Sequence, residues 1–152
     1  MNDLAAALEF NLIIEELEQF FPYPEKVQTL RIKNTILQIH DTVEGTMNLR
    51  IVQYYFGIKR DSNDKVNHFW INILSNLTFA KKIELVSLIR SLSKDAIKIL
   101  RNINDIRNDV AHFQRISKRR EKYLSYEGKN IYKNIEALRK FHVDVEKLLS
   151  EL

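Results

Sequence analysis

Glycine and proline are scarce in this chain, with three glycines and two prolines among 152 residues. Folds that cradle phosphates on glycine-rich turns, and β-sandwiches in which turns separate many short strands, need more of these residues. A chain of this length buries roughly 70% of the surface that its unfolded form exposes, so it requires neither disulfides nor a structural metal. The scarcity of turn residues therefore predicts an all-α protein with a single hydrophobic core.

The chain has no cysteine, which excludes a disulfide framework, a thiolate zinc site and a cysteine nucleophile. Met1–Glu9 lacks the basic region of a signal peptide. No apolar run approaches the roughly 18 residues that a membrane-spanning helix requires. We therefore expect a cytoplasmic protein without a membrane partner.

The spacing of the apolar residues predicts an up-and-down bundle of about five helices that forms one domain over residues 1–152. The predicted helices cover about Asp3–Phe20, Glu25–Phe56 with an interruption at Gly45, Phe69–Leu92 in one or two pieces, Lys94–Phe113, and Lys129–Leu149. Lys59–Lys65 is the clearest polar break and is predicted to be a loop. Ser93 has the residue type and the position of an N-cap for the fourth helix.

The net charge of +4 is unevenly distributed along the chain. Met1–Glu25 contains six acidic residues and no basic one, whereas a later segment, here called the basic segment, carries five cations against Glu121. Its cations are Arg115, Lys118, Arg119, Arg120 and Lys122. Such a local cluster predicts a place where a polyanion lies, and a solvated basic loop is the alternative interpretation.

Arg107 departs from the pattern that packing alone produces on the fourth helix. On an ideal helix of about 100° per residue with Ile97 at 0°, the other apolar positions span about 180° to 300°, and Arg107 lies at about 280°. An unpaired buried charge costs several kcal/mol, so this guanidinium needs a partner, a cleft or an anion. A purely structural arginine whose head reaches solvent is the alternative.

The opposite side of the same helix carries a polar stripe of Arg101, Asp105, Asn108 and His112, which are successive neighbours on one face. Arg101 and Asp105 are spaced to form an ion pair, and Asn108 lies one turn from His112, where it can orient the imidazole. An exposed helix face with a solvated histidine is the alternative interpretation.

The run Arg107-Asn108-Asp109-Val110-Ala111-His112 resembles the Arg-Asn-x-x-x-His motif of HEPN domains. Phe79–Leu85 resembles the preceding helix of the mannitol-repressor-like branch of that family. By chance, an Arg-Asn pair with a histidine four to six residues after the arginine is expected about 0.07 times in a chain of this composition. The resemblance covers about Leu74–Phe113.

This resemblance implies a HEPN-like helical bundle that acts as a metal-independent endoribonuclease, in some branches as a toxin or defence effector. It would cleave single-stranded RNA by attack of the 2′-hydroxyl, with no cofactor. His112 would be the general acid/base, Arg107 the phosphate and transition-state binder, and Asn108 an orienting residue. The basic segment would bind the RNA backbone.

The spacing of Arg107 and His112 bears on the oligomeric state. Five residues separate them by about 140° on an ideal helix, so they do not share a face. Either the helix ends near His112 and the chain turns the imidazole back, or one site combines residues of two chains. The resemblance likewise implies a homodimer with a composite active site.

Two further expectations concern partners. In one toxin branch, a nucleotidyltransferase-type antitoxin modifies a tyrosine two residues beyond the histidine, but Gln114 stands at that position here. Control by that route is therefore doubtful, and Tyr123 and Tyr126 lie too far along to replace it. The alternative function is a non-catalytic interaction or regulatory module of mannitol-repressor-like type, in which Arg107 and Asn108 hold helices or a dimer together.

Metal binding is a weaker hypothesis. His40 and Glu44 are spaced as i, i+4, with Asp41 beside the histidine, but two such ligands do not make a site. We therefore predict no metal. His142 lies on the apolar seam of the last predicted helix and is predicted to be a core or interface histidine.

Overall fold

The computed structural model describes residues 11–21, 26–57, 64–112 and 125–152. Helices make up most of these residues, and a short two-stranded hairpin is also present among them. The elements in chain order are α1 (residues 11–17, followed by a 3-10 turn at Glu18–Phe20), α2 (Lys26–Phe56), α3 (Asp64–Asn72, followed by a 3-10 turn at Leu74–Asn76), α4 (Phe79–Ile89), α5 (Lys94–His112), β1 (Ser125–Tyr126), β2 (Lys129–Asn130) and α6 (Ile135–Glu151). The prediction of a helical protein is therefore confirmed.

The second helix, α2, runs without a break for 31 residues. Its buried apolar residues recur at steps of three and four, which places them on one side of the helix. They include Ile32, Ile36, Ile39, Val43, Met47 and Ile51. Gly45 lies in the middle of α2 on the exposed side and does not interrupt the helix. The helix predicted to end at Phe56 is confirmed.

The region predicted as the third helix consists of two helices, α3 and α4. The start predicted at Phe69 is wrong, because α3 begins at Asp64, and the predicted loop Lys59–Lys65 is therefore too long at its end. The Asp64 carboxylate in the first turn interacts favourably with the positive end of the helix dipole. α4 begins after Thr78, whose hydroxyl oxygen accepts a hydrogen bond from the Lys81 N–H.

Side-chain caps define the starts of α5 and α6. The Ser93 hydroxyl oxygen accepts a hydrogen bond from the Ala96 N–H at 3.0 Å, as its predicted capping role requires. The Asn134 side-chain oxygen accepts one from the Ala137 N–H at 3.1 Å. α5 then continues to His112.

The predicted start of the last helix at Lys129 is wrong, because residues 125–130 form the hairpin and α6 begins at Ile135. Glu127 and Gly128 have φ values of 48° and 81°, the left-handed conformation of a tight two-residue hairpin turn. Ile131 lies four residues before Ile135 and so fits a helical spacing, but this fully buried residue precedes the helix.

α2 and α5 lie at the centre of the described fold. α2 packs against α4 and α5, α4 also contacts α5, and α5 packs against α6 and β1. The largest fully buried side chains come from several helices and include Phe141, Leu17, Ile36, Met47, Leu100 and Ile106. Because α2, α4 and α5 contact one another in all three pairs, polar side chains on their facing sides come together.

Gly45→Ala is expected to raise the free energy of unfolding by about 0.5–1 kcal/mol. A Cβ at Gly45 meets no heavy atom within 4 Å, so alanine reduces the entropy of the unfolded chain without a clash. Gly128→Ala is the matched control and is expected to lower the same free energy by about 1 kcal/mol, because Gly128 has a φ of +81°. Urea titrations measure both changes in the free energy of unfolding. Changes of the same sign would contradict the helical conformation of Gly45 or the left-handed conformation of Gly128.

Candidate functional site

Arg107 lies near the end of α5 and is half-buried, as its place in the apolar arc predicts. Its Nη1 donates a hydrogen bond to Asn108 Oδ1 at 3.3 Å. Among the described residues no carboxylate lies within 4.0 Å of the guanidinium. A guanidinium has five N–H donors, so most of the hydrogen-bonding capacity of Arg107 is left for a ligand.

His40 on α2 lies close enough to Arg107 for the guanidinium to act on it electrostatically. The imidazole is 3% exposed and stacks on Phe79 with ring centroids 4.3 Å apart. Neither ring nitrogen has a hydrogen-bond partner among the described residues. The carboxylates of Asp41 and Glu44 approach Nδ1 at 3.7 Å and 3.9 Å, too far for direct hydrogen bonds.

Burial lowers the pKa of His40 below its ordinary value of 6.5, because desolvation disfavours the charged imidazolium. The carboxylate of Glu44 opposes this shift, the positive charge of Arg107 adds to it, and Asp41 again opposes it. The net effect lowers the pKa of His40, so the imidazole is mostly neutral at pH 7.

Glu44 is already paired with a lysine from another helix. Lys82 Nζ on α4 lies 2.6 Å from Glu44 Oε1, and Lys82 is only 2% exposed. The carboxylate of Glu44 therefore compensates Lys82. We call His40, Glu44, Lys82, Arg107 and Asn108 the interhelical polar cluster, because three helices contribute to it.

His40, Asp41 and Glu44 also form the three-residue group whose ligand atoms lie within 4.8 Å of one another. The surroundings do not suit a divalent cation, since Lys82 already binds Glu44 and Arg107 places a second positive charge near His40. The interhelical polar cluster is instead suited to an anion that approaches Arg107.

The outer face of α5 differs from its prediction in one respect. Arg101 and Asp105 form no ion pair within 4.0 Å, so the predicted pair is wrong. Asn108 accepts a hydrogen bond from Arg107, and its predicted role of orienting the His112 imidazole stays a prediction. The backbone of α5 ends at His112, and the His112 side chain lies outside the described residues.

The RNA-binding residues predicted in the basic segment, from Arg115 to Lys122, also lie outside the described residues. Tyr126 is 2% exposed, and its hydroxyl donates a hydrogen bond to Asp144 Oδ2 at 2.7 Å. Burial raises the pKa of Tyr126, and the hydrogen bond to Asp144 raises it further. Tyr126 therefore anchors the hairpin to α6 and is not presented for modification.

His142 is 4% exposed, so its predicted place in the core is confirmed. Sequence reasoning missed the role of Lys82, although a signal for it exists. Lys82 falls between the buried Phe79, Ile83 and Val86 on the apolar side of α4. The helical-wheel criterion that singled out Arg107 also identifies Lys82 when it is applied to α4.

Comparison with known proteins identifies no relative, because no family model, curated protein or solved structure matches the chain significantly. Among the helices of the described residues, none is long and apolar enough to cross a membrane. The function is therefore inferred from the chemistry of the interhelical polar cluster and of α5.

Proposed function

We propose that the protein is a metal-independent endoribonuclease of HEPN type that cleaves single-stranded RNA. The observation that carries this proposal is the half-buried Arg107, which has no carboxylate partner among the described residues. A guanidinium in this state is well suited to phosphate, which it binds with paired N–H donors. The Arg-Asn-x-x-x-His run that contains Arg107 supplies a histidine five residues further on.

The proposed reaction needs a proton acceptor for the ribose 2′-hydroxyl, a proton donor for the leaving 5′-oxygen, and positive charge beside the pentavalent phosphate. In the proposed site His112 transfers the protons and Arg107 stabilises the negative charge. Asn108 holds the guanidinium through its side-chain oxygen. The product is a 2′,3′-cyclic phosphate, and DNA is not cleaved because it lacks the attacking hydroxyl.

The proposed active form is a HEPN-like homodimer whose sites combine residues of both protomers. The separation of Arg107 and His112 by about 140° on α5 supports this arrangement. In the same proposal the basic segment binds the RNA backbone, and the protein acts in the cytoplasm as a toxin or defence effector. A nucleotidyltransferase-type antitoxin remains a candidate partner, with a target other than Gln114.

The test is cleavage of a single-stranded RNA by the purified protein in EDTA. The wild type is expected to cleave, and His112→Ala and Arg107→Ala are each expected to reduce the rate by about 10²-fold or more. His68→Ala is the matched histidine control, because His68 is exposed on α3, and Arg31→Ala is the arginine control. Full activity of His112→Ala with its fold retained would refute the proposal.

A mixture of the two inactive variants tests the composite site. If Arg107 and His112 of one site come from different protomers, heterodimers contain one intact site, and equal mixing restores about a quarter of the wild-type activity. If both residues of a site come from one protomer, the mixture stays inactive.

The half-burial of Arg107 and its electrostatic effect on His40 favour a second candidate, a non-catalytic interaction or regulatory module. In that case the interhelical polar cluster chiefly holds α2, α4 and α5 together. Arg107→Ala would then lower the melting temperature, and the wild type would not cleave RNA. Thermal unfolding and the EDTA assay on the same samples separate the two candidates.

A further inference from the structure

An open groove of about 400 Å³ follows the outer face of α5. We call it the α5 groove, and it is lined by Lys94, Ile97, Lys98, Arg101, Asn102 and Asp105. These residues recur at steps of three and four, so they form one continuous face of the helix. The groove lies opposite Arg107, whose side chain faces the interior near His40.

The α5 groove has an excess of positive charge, with three cations against the single carboxylate of Asp105. Lys94 and Arg101 form no ion pair or side-chain hydrogen bond with the described residues. Lys98 lies 3.6 Å from Glu127, but it is 67% exposed and keeps most of its contact with solvent. Two of the three cations are therefore available to an anionic ligand.

The shape of the groove favours an extended ligand over a small one. Lys94 and Arg101 are seven residues apart, which corresponds to about 10.5 Å along the helix axis. A single phosphate contacts both only when the two side chains bend toward each other, whereas successive phosphates of a polyanion can each contact one of them. The half-buried Ile97 adds an apolar surface between them, on which a ribose or a base can pack.

We propose that the α5 groove binds the backbone of single-stranded RNA and guides it along α5. This inference rests on the proposed function, because His112 follows Arg101 by eleven residues, about three turns further along the helix. RNA that contacts Lys94 and Arg101 then continues toward the end of α5. These contacts are made with phosphates, so they supply affinity without sequence preference.

The test measures binding separately from cleavage, by fluorescence anisotropy in EDTA with a labelled single-stranded RNA that is 2′-O-methylated throughout. Lys94→Gln/Arg101→Gln is expected to raise the Kd about tenfold and to reduce the slope of log K against log salt by about 1.4, or 0.7 for each lost phosphate contact. Both residues are exposed, so the melting temperature is expected to stay unchanged.

The matched control is Lys26→Gln/Lys81→Gln, which removes the same charge from exposed positions on α2 and α4. Equal Kd values for the two double variants would refute RNA binding in the α5 groove, because the net charge of the protein would then explain the affinity. Competition by poly-glutamate as effective as that by RNA would also overturn the proposal and assign the groove to an acidic protein. If the wild type binds this RNA through the α5 groove but does not cleave unmodified RNA, the proposed ribonuclease activity is refuted. The proposal that the α5 groove binds RNA is then retained.

Discussion

Replacing Lys82 with methionine is expected to lower the free energy of unfolding by about 3 kcal/mol. Lys82 is 2% exposed and lies 2.6 Å from Glu44, so the substitution leaves a carboxylate between helices without its counter-ion. Glu44 is 29% exposed, which keeps the loss at the lower end of the range for buried pairs. Urea denaturation followed by far-UV circular dichroism measures the change.

The chain offers a closely matched control one residue away. Lys81 on the same helix pairs with Glu84 at 2.9 Å, but both side chains are more than 60% exposed. Lys81→Met is therefore expected to cost less than about 1 kcal/mol. The two methionine variants have the same composition, so equal losses would show that burial of the Lys82–Glu44 pair does not determine its contribution.

A second substitution at Glu44 is expected to restore most of the lost stability. In Lys82→Met/Glu44→Gln the unpaired carboxylate is absent, and replacing both members of a buried pair is often nearly neutral. The double variant also serves as a test that does not depend on whether the single variant folds. A double variant as unstable as Lys82→Met would mean that Lys82 contributes by packing and not by charge.

The same pair of variants reports on Arg107. In Lys82→Met the free carboxylate of Glu44 is expected to attract the guanidinium of Arg107, because both groups act on His40. RNA cleavage is then expected to fall in Lys82→Met and to recover in Lys82→Met/Glu44→Gln. Cleavage that stays low in a folded double variant would contradict this competition for Arg107.

Lowering the pH below 6.5 is expected to destabilise the protein through His40. Burial lowers the pKa of His40 in the folded state, so in the range between the folded and the unfolded pKa the unfolded chain binds more protons. Stability therefore falls as the pH falls, by up to about 1.4 kcal/mol for each pH unit within that range. At pH values above the pKa of His40 in the unfolded chain, His40 causes no loss of stability.

Free energies of unfolding measured from pH 7.5 to pH 5 (roughly the range of histidine titration), in the wild type and in His40→Phe, isolate this effect. Phenylalanine keeps the stacking on Phe79 but cannot bind a proton. The groups that face His40 are Asp41 and Glu44 on its own helix and Arg107 on α5.

The pH dependence is expected to be shallower in His40→Phe, and His40→Gln is a second neutral variant in case phenylalanine overpacks the site. His68→Asn is the control at an exposed histidine and is expected to follow the wild type. If the pH dependence of stability is unchanged in both His40 variants, His40 is not the group that destabilises the protein at low pH.

Local signals predicted much of the helical architecture. The periodic apolar residues of α2 and the cap at Ser93 depend on neighbours within one or two turns, and both predictions are confirmed. The hairpin at residues 125–130 escaped prediction, because Glu127 adopts a left-handed conformation that favours glycine or asparagine. Its apolar neighbour Ile131 also fits a helical spacing.

The site was predicted only in part. The half-burial of Arg107 follows from its angle on α5, since the apolar residues of a helix define its inner side. The pairing of Lys82 with Glu44 was not predicted, because these residues are 38 positions apart and meet only when α2 packs against α4.

By itself the sequence determined that the chain is helical, where most helices lie, and that an arginine on α5 turns toward the interior. These properties depend on residue type and on the period of the helix, which act over short distances along the chain. The tertiary structure decided which charges compensate one another. Because Lys82 pairs with the carboxylate of Glu44, Arg107 lies beside the neutral His40 and has no counter-ion among the described residues. The pairing of these charges depends on which helices pack against each other, and local sequence patterns do not predict it.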